Sequence, residues 1–441
     1  MRPVAARVFA ADWVLPIASA PIRAGAVVID ARRIAWVGQL AQLPARWSTA
    51  PVDRRTGVLT PGLVNAHTHL QYTGFAHLGQ GQYSGFEQWS FAFEAAYRAV
   101  TDPGSWAESA LAGARLAVAT GSTVVAEVIT NDQARGALAE CGVTGIEYLE
   151  AIGQVEERWL DGSRADFVAR LGRPATVPFG ISPHAPYSLD GAVIKDLMAI
   201  AADHQARAHL HLGESALELS LYQRGERHML DIYGDLRDRF DLVRRGGAGQ
   251  DTAAYADSIG VLVPTAHLAH AIYLDRAGRD LIKRRGTQVA LCPRSNAVLG
   301  LGPAPVAAYL SEGHEIAVGT DSLASSPSLD LMADVALLAS IAREQGYRYG
   351  DLAQRLLRAA TLGGAKAMGL DGRGYGTLVP GGPADLAVFD IEVADQPVAD
   401  ALVARGQGSC TLTIAGGVIR HDAADDVSAA GAGRTDGTLG D

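Results

Sequence analysis

The residues with the clearest chemical potential are histidines and acids that end short apolar runs. His67 and His69 follow Val58-Leu59-Thr60 within Pro61-Gly62-Leu63-Val64-Asn65-Ala66-His67-Thr68-His69. In an extended strand, residues two apart point to one face, so both imidazoles can meet a single metal ion. His211 ends Ala208-His209-Leu210-His211, and Glu214 follows three residues later. His267 follows Gly260-Val261-Leu262-Val263-Pro264-Thr265, read here as another strand, and His270 lies three residues on. Asp321 follows Ile316-Ala317-Val318 in Gly319-Thr320-Asp321-Ser322. Imidazoles and carboxylates at four strand ends suit a divalent metal and acid–base groups, provided the strands are parallel and their ends converge. His209 and His270 read as core or supporting residues.

The elements around these residues supply that condition. Apolar runs at 123–126, 144–148, 176–181, 208–211, 288–291 and 316–319 alternate with helical candidates such as 105–119 and 191–204. Alternation of this kind predicts βα units and a parallel sheet, and more than 300 central residues favour a barrel. The alternative is an open doubly wound sheet, disfavoured by the lack of GxGxxG after the first strand. The ends differ in character. Residues 25–30 and 33–38 form a hairpin pattern around Ala31-Arg32, and 384–390 and 411–419 read as strands. The tail 422–441, rich in Ala, Gly, Asp and Thr, is expected to be disordered.

The chain has 441 residues, 48 % apolar and 20 % charged, with a formal charge of -10. An acidic balance argues against nucleic acid as a main partner. Cys141, Cys292 and Cys410 lie far apart and form no CxxC pair, which fits a reducing compartment. The N-terminal apolar run is broken by Asp12, so neither a signal peptide nor a membrane span is expected. A cytoplasmic location follows as the expectation.

Taken together, PGLVNAHTH, the HLGE of His211 to Glu214, Ala266-His267, the GTDS of Gly319 to Ser322 and the GGPADLAVFD stretch resemble the amidohydrolase superfamily. Within it they resemble the branch of cytosine, guanine and S-adenosylhomocysteine-type deaminases and triazine hydrolases. The resemblance implies an α/β (β/α)8 barrel over 59–371, with a small β-sandwich from 1–58 and 372–421. It implies one divalent metal, zinc first and ferrous iron as the alternative, on His67, His69, His211 and Asp321. Asp321 would also take a proton from the attacking water, Glu214 would shuttle protons to a ring nitrogen and the leaving amine, and His267 would hold the water or the developing oxyanion. The fourth apolar region reads Glu147-Tyr148-Leu149-Glu150, without the lysine of a binuclear site.

Substrate contacts are expected from His184 in Ser182-Pro183-His184-Ala185-Pro186-Tyr187, from Gln71 beside Tyr72, and from Arg294 toward an anionic group. Trp89, in the aromatic stretch 83–91, reads as a lid residue or as helix packing. His69 to Phe75, Phe86 to Trp89 and GTDSLASSPSLD look most like aminodeoxyfutalosine deaminases of a menaquinone route. Other adenosine-derivative or guanine-type deaminases, an s-triazine chlorohydrolase and a non-catalytic metal-binding barrel are the alternatives. The expected partner is a small nucleoside, and the resemblance allows a homo-oligomer.

Overall fold

The computed structural model describes residues 6–425. The first hairpin forms where alternation placed it. β1 (Arg7–Val14) pairs antiparallel with β2 (Ile22–Asp30), and β2 with β3 (Arg33–Gln39) across Ala31-Arg32. β4 (Val52–Arg54) and β5 (Val58–Pro61) lie parallel to β1.

The chain then passes through Gly62 into the barrel. A Cβ at Gly62 would stand 2.1 Å from Thr123 Oγ1, so only glycine fits this junction. β6 (Leu63–Thr68), β7 (Ser122–Ile129), β8 (Thr144–Ala151), β9 (Phe179–Pro183), β10 (Ala208–Leu212), β11 (Ala266–His270), β12 (Gln288–Leu291) and β13 (Ile316–Val318) form a parallel sheet in chain order. Nearly every residue in them is buried, as expected of strands covered on both faces. Helices at Gly104–Ala119 and Gly191–Asp203 match the helical candidates. The strands are therefore a nearly closed barrel and not a doubly wound sheet.

No ladder joins β13 to β6 among the described residues. Side chain and loop bridge that seam instead. Asn65 Nδ2 donates to Thr320 Oγ1 at 2.8 Å, Thr320 N donates to Asn65 Oδ1 at 3.1 Å, and Asp321 N donates to His67 O at 3.0 Å.

The C-terminal strands return to the first sheet. β14 (Leu386–Phe389) pairs with β5, β15 (Cys410–Ala415) with β14, and β16 (Val418–Asp422) with β15. Of the tail expected over 422–441, Asp422 closes β16 and residues 426–441 lie outside the described residues. The three cysteines are free thiols. No helix among the described residues is long and apolar enough to cross a membrane.

One strand moves relative to the sequence reading. Residues 260–265 are not a strand; β11 starts at Ala266 and ends at His270. Pro264 has no N–H to give a ladder, so the apolar run before it cannot pair as a central strand. The shift decides which histidine reaches the site.

Candidate metal and acid–base site

The C-terminal ends of β6, β10, β11 and β13 converge as a parallel barrel requires. His69 Nε2 lies 3.3 Å from His211 Nε2, and Asp321 Oδ1 lies 3.6 Å from His67 Nε2 and 4.0 Å from His69 Nε2. His270 Nε2 is 3.4 Å from Glu214 Oε1 and 3.9 Å from Asp321 Oδ2. Candidate ligand atoms of His67, His69 and Asp321, and of His67, His211 and His270, sit within 4.8 Å of one another. Two donors about 2.1 Å from one tetrahedral ion would be about 3.4 Å apart, close to the 3.3 Å between His69 and His211 and the 3.6 Å between His67 and Asp321.

The backbone is strained at this spot. His270 (φ +70°), Ala271 (φ +46°) and Asp321 (φ +59°) are non-glycine residues in the left-handed region. The turn after β11 aims His270 inward, and the one after β13 aims Asp321. Such strain persists only where surrounding contacts over-determine it.

Hydrogen bonds set the proton on the rings of His67, His211 and His270. His209 Nδ1 donates to His267 O at 3.1 Å, so His209 Nε2 accepts, and His67 Nδ1 must donate to it at 2.7 Å. His67 Nε2 is left with its lone pair, buried and without a hydrogen-bond partner. His211 Nδ1 donates to His184 O at 2.9 Å, and His270 Nδ1 to Asn296 Oδ1 at 3.0 Å. Their Nε2 atoms are likewise lone pairs. Burial lowers the pKa of His67 and His69 and pushes that of His211 down to about 3, so these rings are neutral near pH 7. Asp321 Oδ2 accepts from Ser295 Oγ at 2.6 Å and Oδ1 from Ser322 N at 2.7 Å, which favours the carboxylate. Neutral imidazoles with free Nε2 lone pairs beside one carboxylate fit a divalent zinc or ferrous ion.

Glu214 differs. Burial, with the nearby Asp321 and Glu218 charges, pushes its pKa well above the ordinary carboxylate range. Its acid form is therefore favoured relative to an ordinary carboxyl, whereas the hydrogen bonds on Asp321 favour the carboxylate there.

His69, His211, Glu214 and Asp321 line one cavity of about 320 Å³. Its walls are aromatic, with Tyr72, Phe86, Trp89, Phe93, Tyr187 and Tyr233. Glu94, Arg98, Glu150 and His184 are its other ionisable lining residues. His184 stands where the sequence reading put it, with Nδ1 2.8 Å from Ser188 Oγ. Trp89 also lines the cavity, and its Nε1 donates to Ala324 O at 2.9 Å.

Three expected site residues lie elsewhere. His267 sits lower in the barrel, with Nε2 donating to Ala66 O at 3.0 Å and its ring stacked 3.8 Å from that of His209. His270, three residues further along β11 and on its opposite face, is the histidine of this strand that reaches Glu214 and Asp321. Arg294 is not available to a substrate anion. Its guanidinium pairs with buried Asp334 at 2.7 Å and donates to Ser328 O and Asp330 O. Gln71 is buried behind the wall, with Nε2 on Thr130 Oγ1 at 2.9 Å and Oε1 accepting from Asn131 N at 3.0 Å. Sequence reasoning missed His270, Glu150 and Arg98. Glu150 carried a signal, since it closes an apolar run at a strand end as the recognised acids do.

The model of the Amidohydrolase family matches residues 58–420. The chain is 29 % identical over 420 residues to a 5-methylthioadenosine/S-adenosylhomocysteine deaminase of Nitratidesulfovibrio vulgaris, covering 91 % of this chain and 88 % of that one. Its fold is similar to that of a zinc-bound adenosine deaminase from Xanthomonas campestris, at TM-score 0.78 and 24 % identity over 97 % of both chains. It is also similar to Helicobacter pylori aminofutalosine deaminase, at TM-score 0.75 and 19 % identity, covering 94 % of this chain and 99 % of that one.

Proposed function

Because the chain belongs to the amidohydrolase family and so is a hydrolase acting on carbon–nitrogen bonds, we propose that it is a metal-dependent deaminase of adenosine-like nucleosides. The observation that carries this reading is a buried Glu214 3.4 Å from His270 and beside the histidine–aspartate set, with burial favouring its acid form. Simple hydrolysis does not need such an acid. Replacing the amine of an aromatic ring does, because a ring nitrogen must be protonated before the adjacent carbon accepts an oxygen. The curated relative's substrates, 5-methylthioadenosine and S-adenosylhomocysteine, are adenine nucleosides and support the same choice.

His67, His69, His211 and Asp321 would hold the metal, zinc by its chemistry with three imidazoles and one carboxylate. Bound there, a divalent cation supplies a water acidified enough to attack near neutral pH. Glu214 gives its proton to the ring nitrogen next to the aminated carbon. Asp321 takes the proton that the attacking water loses. His270 is placed to hold the oxygen that adds to the ring. As the carbon–nitrogen bond breaks, a proton returns to the amine, ammonia leaves and the oxygen stays on the ring. The aromatic walls exclude water and receive the flat base.

A narrower reading, aminodeoxyfutalosine, needs a cation for its benzoate. Arg294 is committed to buried Asp334, whereas Arg98, paired with Glu94 through Nε alone and largely exposed, lines the cavity and is the observation in that reading's favour.

The test is ammonia release by zinc-loaded protein from 5-methylthioadenosine, S-adenosylhomocysteine, adenosine, aminodeoxyfutalosine, guanine and an s-triazine. Adenine nucleosides should turn over. Glu214→Gln should keep its zinc and lose roughly 100-fold or more in kcat, the usual contribution of a positioned acid. Turnover confined to guanine or the triazine, or full activity of the Gln variant, would sink the reading.

A further inference from the structure

Glu214 has to meet a ring nitrogen, yet its own side chain is lightly held. Its Oε1 is 3.4 Å from His270 Nε2, and its Oε2 faces Tyr187 OH at 3.5 Å. Both distances exceed the usual hydrogen-bond range, so neither contact fixes the carboxyl. Its aim must come from the backbone that carries it. That backbone, Gly213-Glu214-Ser215, turns from the end of β10 into the helix Ala216–Arg224, with Gly213 in the left-handed region at φ +64°.

One residue of that helix grips the turn from inside. Glu218 is fully buried. Its Oε1 accepts from Glu214 N at 2.7 Å and from Ser215 N at 3.2 Å. Its Oε2 accepts from Gly213 N at 2.9 Å and from Tyr222 OH at 3.0 Å. Four donors thus meet the four acceptor positions of one carboxylate. Capping the helix needs only one of these bonds. The capping box of Ser215 and Glu218 uses Ser215 N, while Ser215 Oγ accepts from Leu217 N at 3.2 Å. The bonds to Gly213 and Glu214 reach past the helix start, to the acid itself and the residue before it. The outer side of the turn is anchored to the segment after β11. Gly213 O accepts from Ile272 N at 2.8 Å and from Tyr273 N at 2.9 Å, and Leu212 O accepts from Ala271 N at 2.9 Å. With its carbonyls tied outward and its N–H groups tied inward, the turn has one setting, and Glu218 supplies the inward half.

Resting on the deaminase reading above, we propose that Glu218 is a positioning residue of the reaction, whose carboxylate sets the turn that aims the Glu214 carboxyl at the ring nitrogen. It touches no substrate, and its effect on turnover passes through Glu214. Gln at this position keeps the shape of the side chain but turns an N–H group toward N–H donors, so the turn must shift. A misplacement of about 1 Å can cost roughly 100-fold in rate.

The experiment measures zinc content, Tm, and kcat and KM on 5-methylthioadenosine for zinc-loaded wild type, Glu218→Gln, Glu214→Gln, the double variant and Ser215→Ala. Glu218→Gln should keep its zinc, hold KM within about 3-fold and lose roughly 10- to 100-fold in kcat. On the Glu214→Gln background the same substitution should cost less than about 3-fold, because residues that act as a unit are not additive. Ser215→Ala breaks the cap and lowers Tm but keeps the bonds from Glu218 to the turn, so its kcat should stay within about 2-fold of wild type. Should Glu218→Gln fail to fold, Tyr222→Phe takes its place: it removes one of the four donors and should lose roughly 3- to 10-fold in kcat, again only where Glu214 is present. An unchanged kcat in the Glu218→Gln or substitute variant, a loss that adds in full to that of Glu214→Gln, or an equal loss in Ser215→Ala overturns the positioning role and leaves the deaminase reading standing. A wild type that releases no ammonia from any adenine nucleoside overturns the reading itself, and the proposal with it.

Discussion

The lone pair of His67 Nε2 is available because of a residue that touches no ligand. His209 accepts the His67 Nδ1 proton at 2.7 Å, and the carbonyl of His267 fixes His209 in the accepting tautomer. Loss of such a partner typically weakens metal binding by about 10- to 100-fold. Chelator competition should therefore show a weaker zinc site in His209→Leu, and recovery in His209→Gln, whose Oε1 can accept in place of Nε2. Equal affinity in wild type and Leu variant would refute the relay. An altered absorption spectrum of the cobalt-loaded Leu variant would separate this role from a packing defect. At this scale much was legible. The two-residue spacing of His67 and His69, the three-residue spacing of His211 and Glu214 and the Asp321 turn each name an atom that the fold places in the cluster. His267 and His270 were not separable by type. Residues three apart on a strand face opposite sides, and which side is the cavity depends on where the strand begins.

At the scale of elements, the apolar runs located the barrel strands because those strands are buried on both faces. They failed where an apolar run was not a strand, at 260–265, and where a strand end carried a charge meant for another element. Arg294, on the helix Pro293–Val298, faces Asp334 on the helix Leu331–Glu344, and nothing in the order of residues distinguishes that partner from a substrate anion. The pair predicts that Arg294→Met destabilises the fold without raising KM. Leaving Asp334 buried and unpaired costs about 3–5 kcal/mol if it stays charged. Burial already raises the Asp334 pKa and Arg294 opposes the rise, so the variant's pKa must rise further. An acid whose folded pKa is raised loses stability as pH climbs through that value. The Tm deficit should thus be larger at pH 8 than at pH 5. A deficit independent of pH, or a KM increase on the preferred nucleoside, would return Arg294 to the list of substrate contacts.

The molecule as a whole closes its barrel at the metal site. His67 belongs to β6 and Asp321 follows β13, and the seam between those strands has no ladder among the described residues. Sequence patterns say which segments are strands, but not that the first and last meet through a side chain. Asn65 does this, bonding Thr320 Oγ1 and Thr320 N, while Gly319 comes so near β6 that a Cβ there would stand 2.7 Å from His67 Cβ. The distance between His67 and Asp321 is then a property of barrel closure and not of either loop. Asn65→Ala leaves the buried Thr320 N–H without its acceptor, worth about 1–3 kcal/mol, while the Thr320 hydroxyl keeps its bond to Asp321 O. It should lower Tm and zinc affinity together. Arg294→Met is the comparison, since it destabilises the fold at least as much from a pair that does not bridge the seam. If both variants bind zinc as tightly as wild type, closure does not set the ligand geometry. If only Asn65→Ala weakens the site, the seam and the metal centre are one structure.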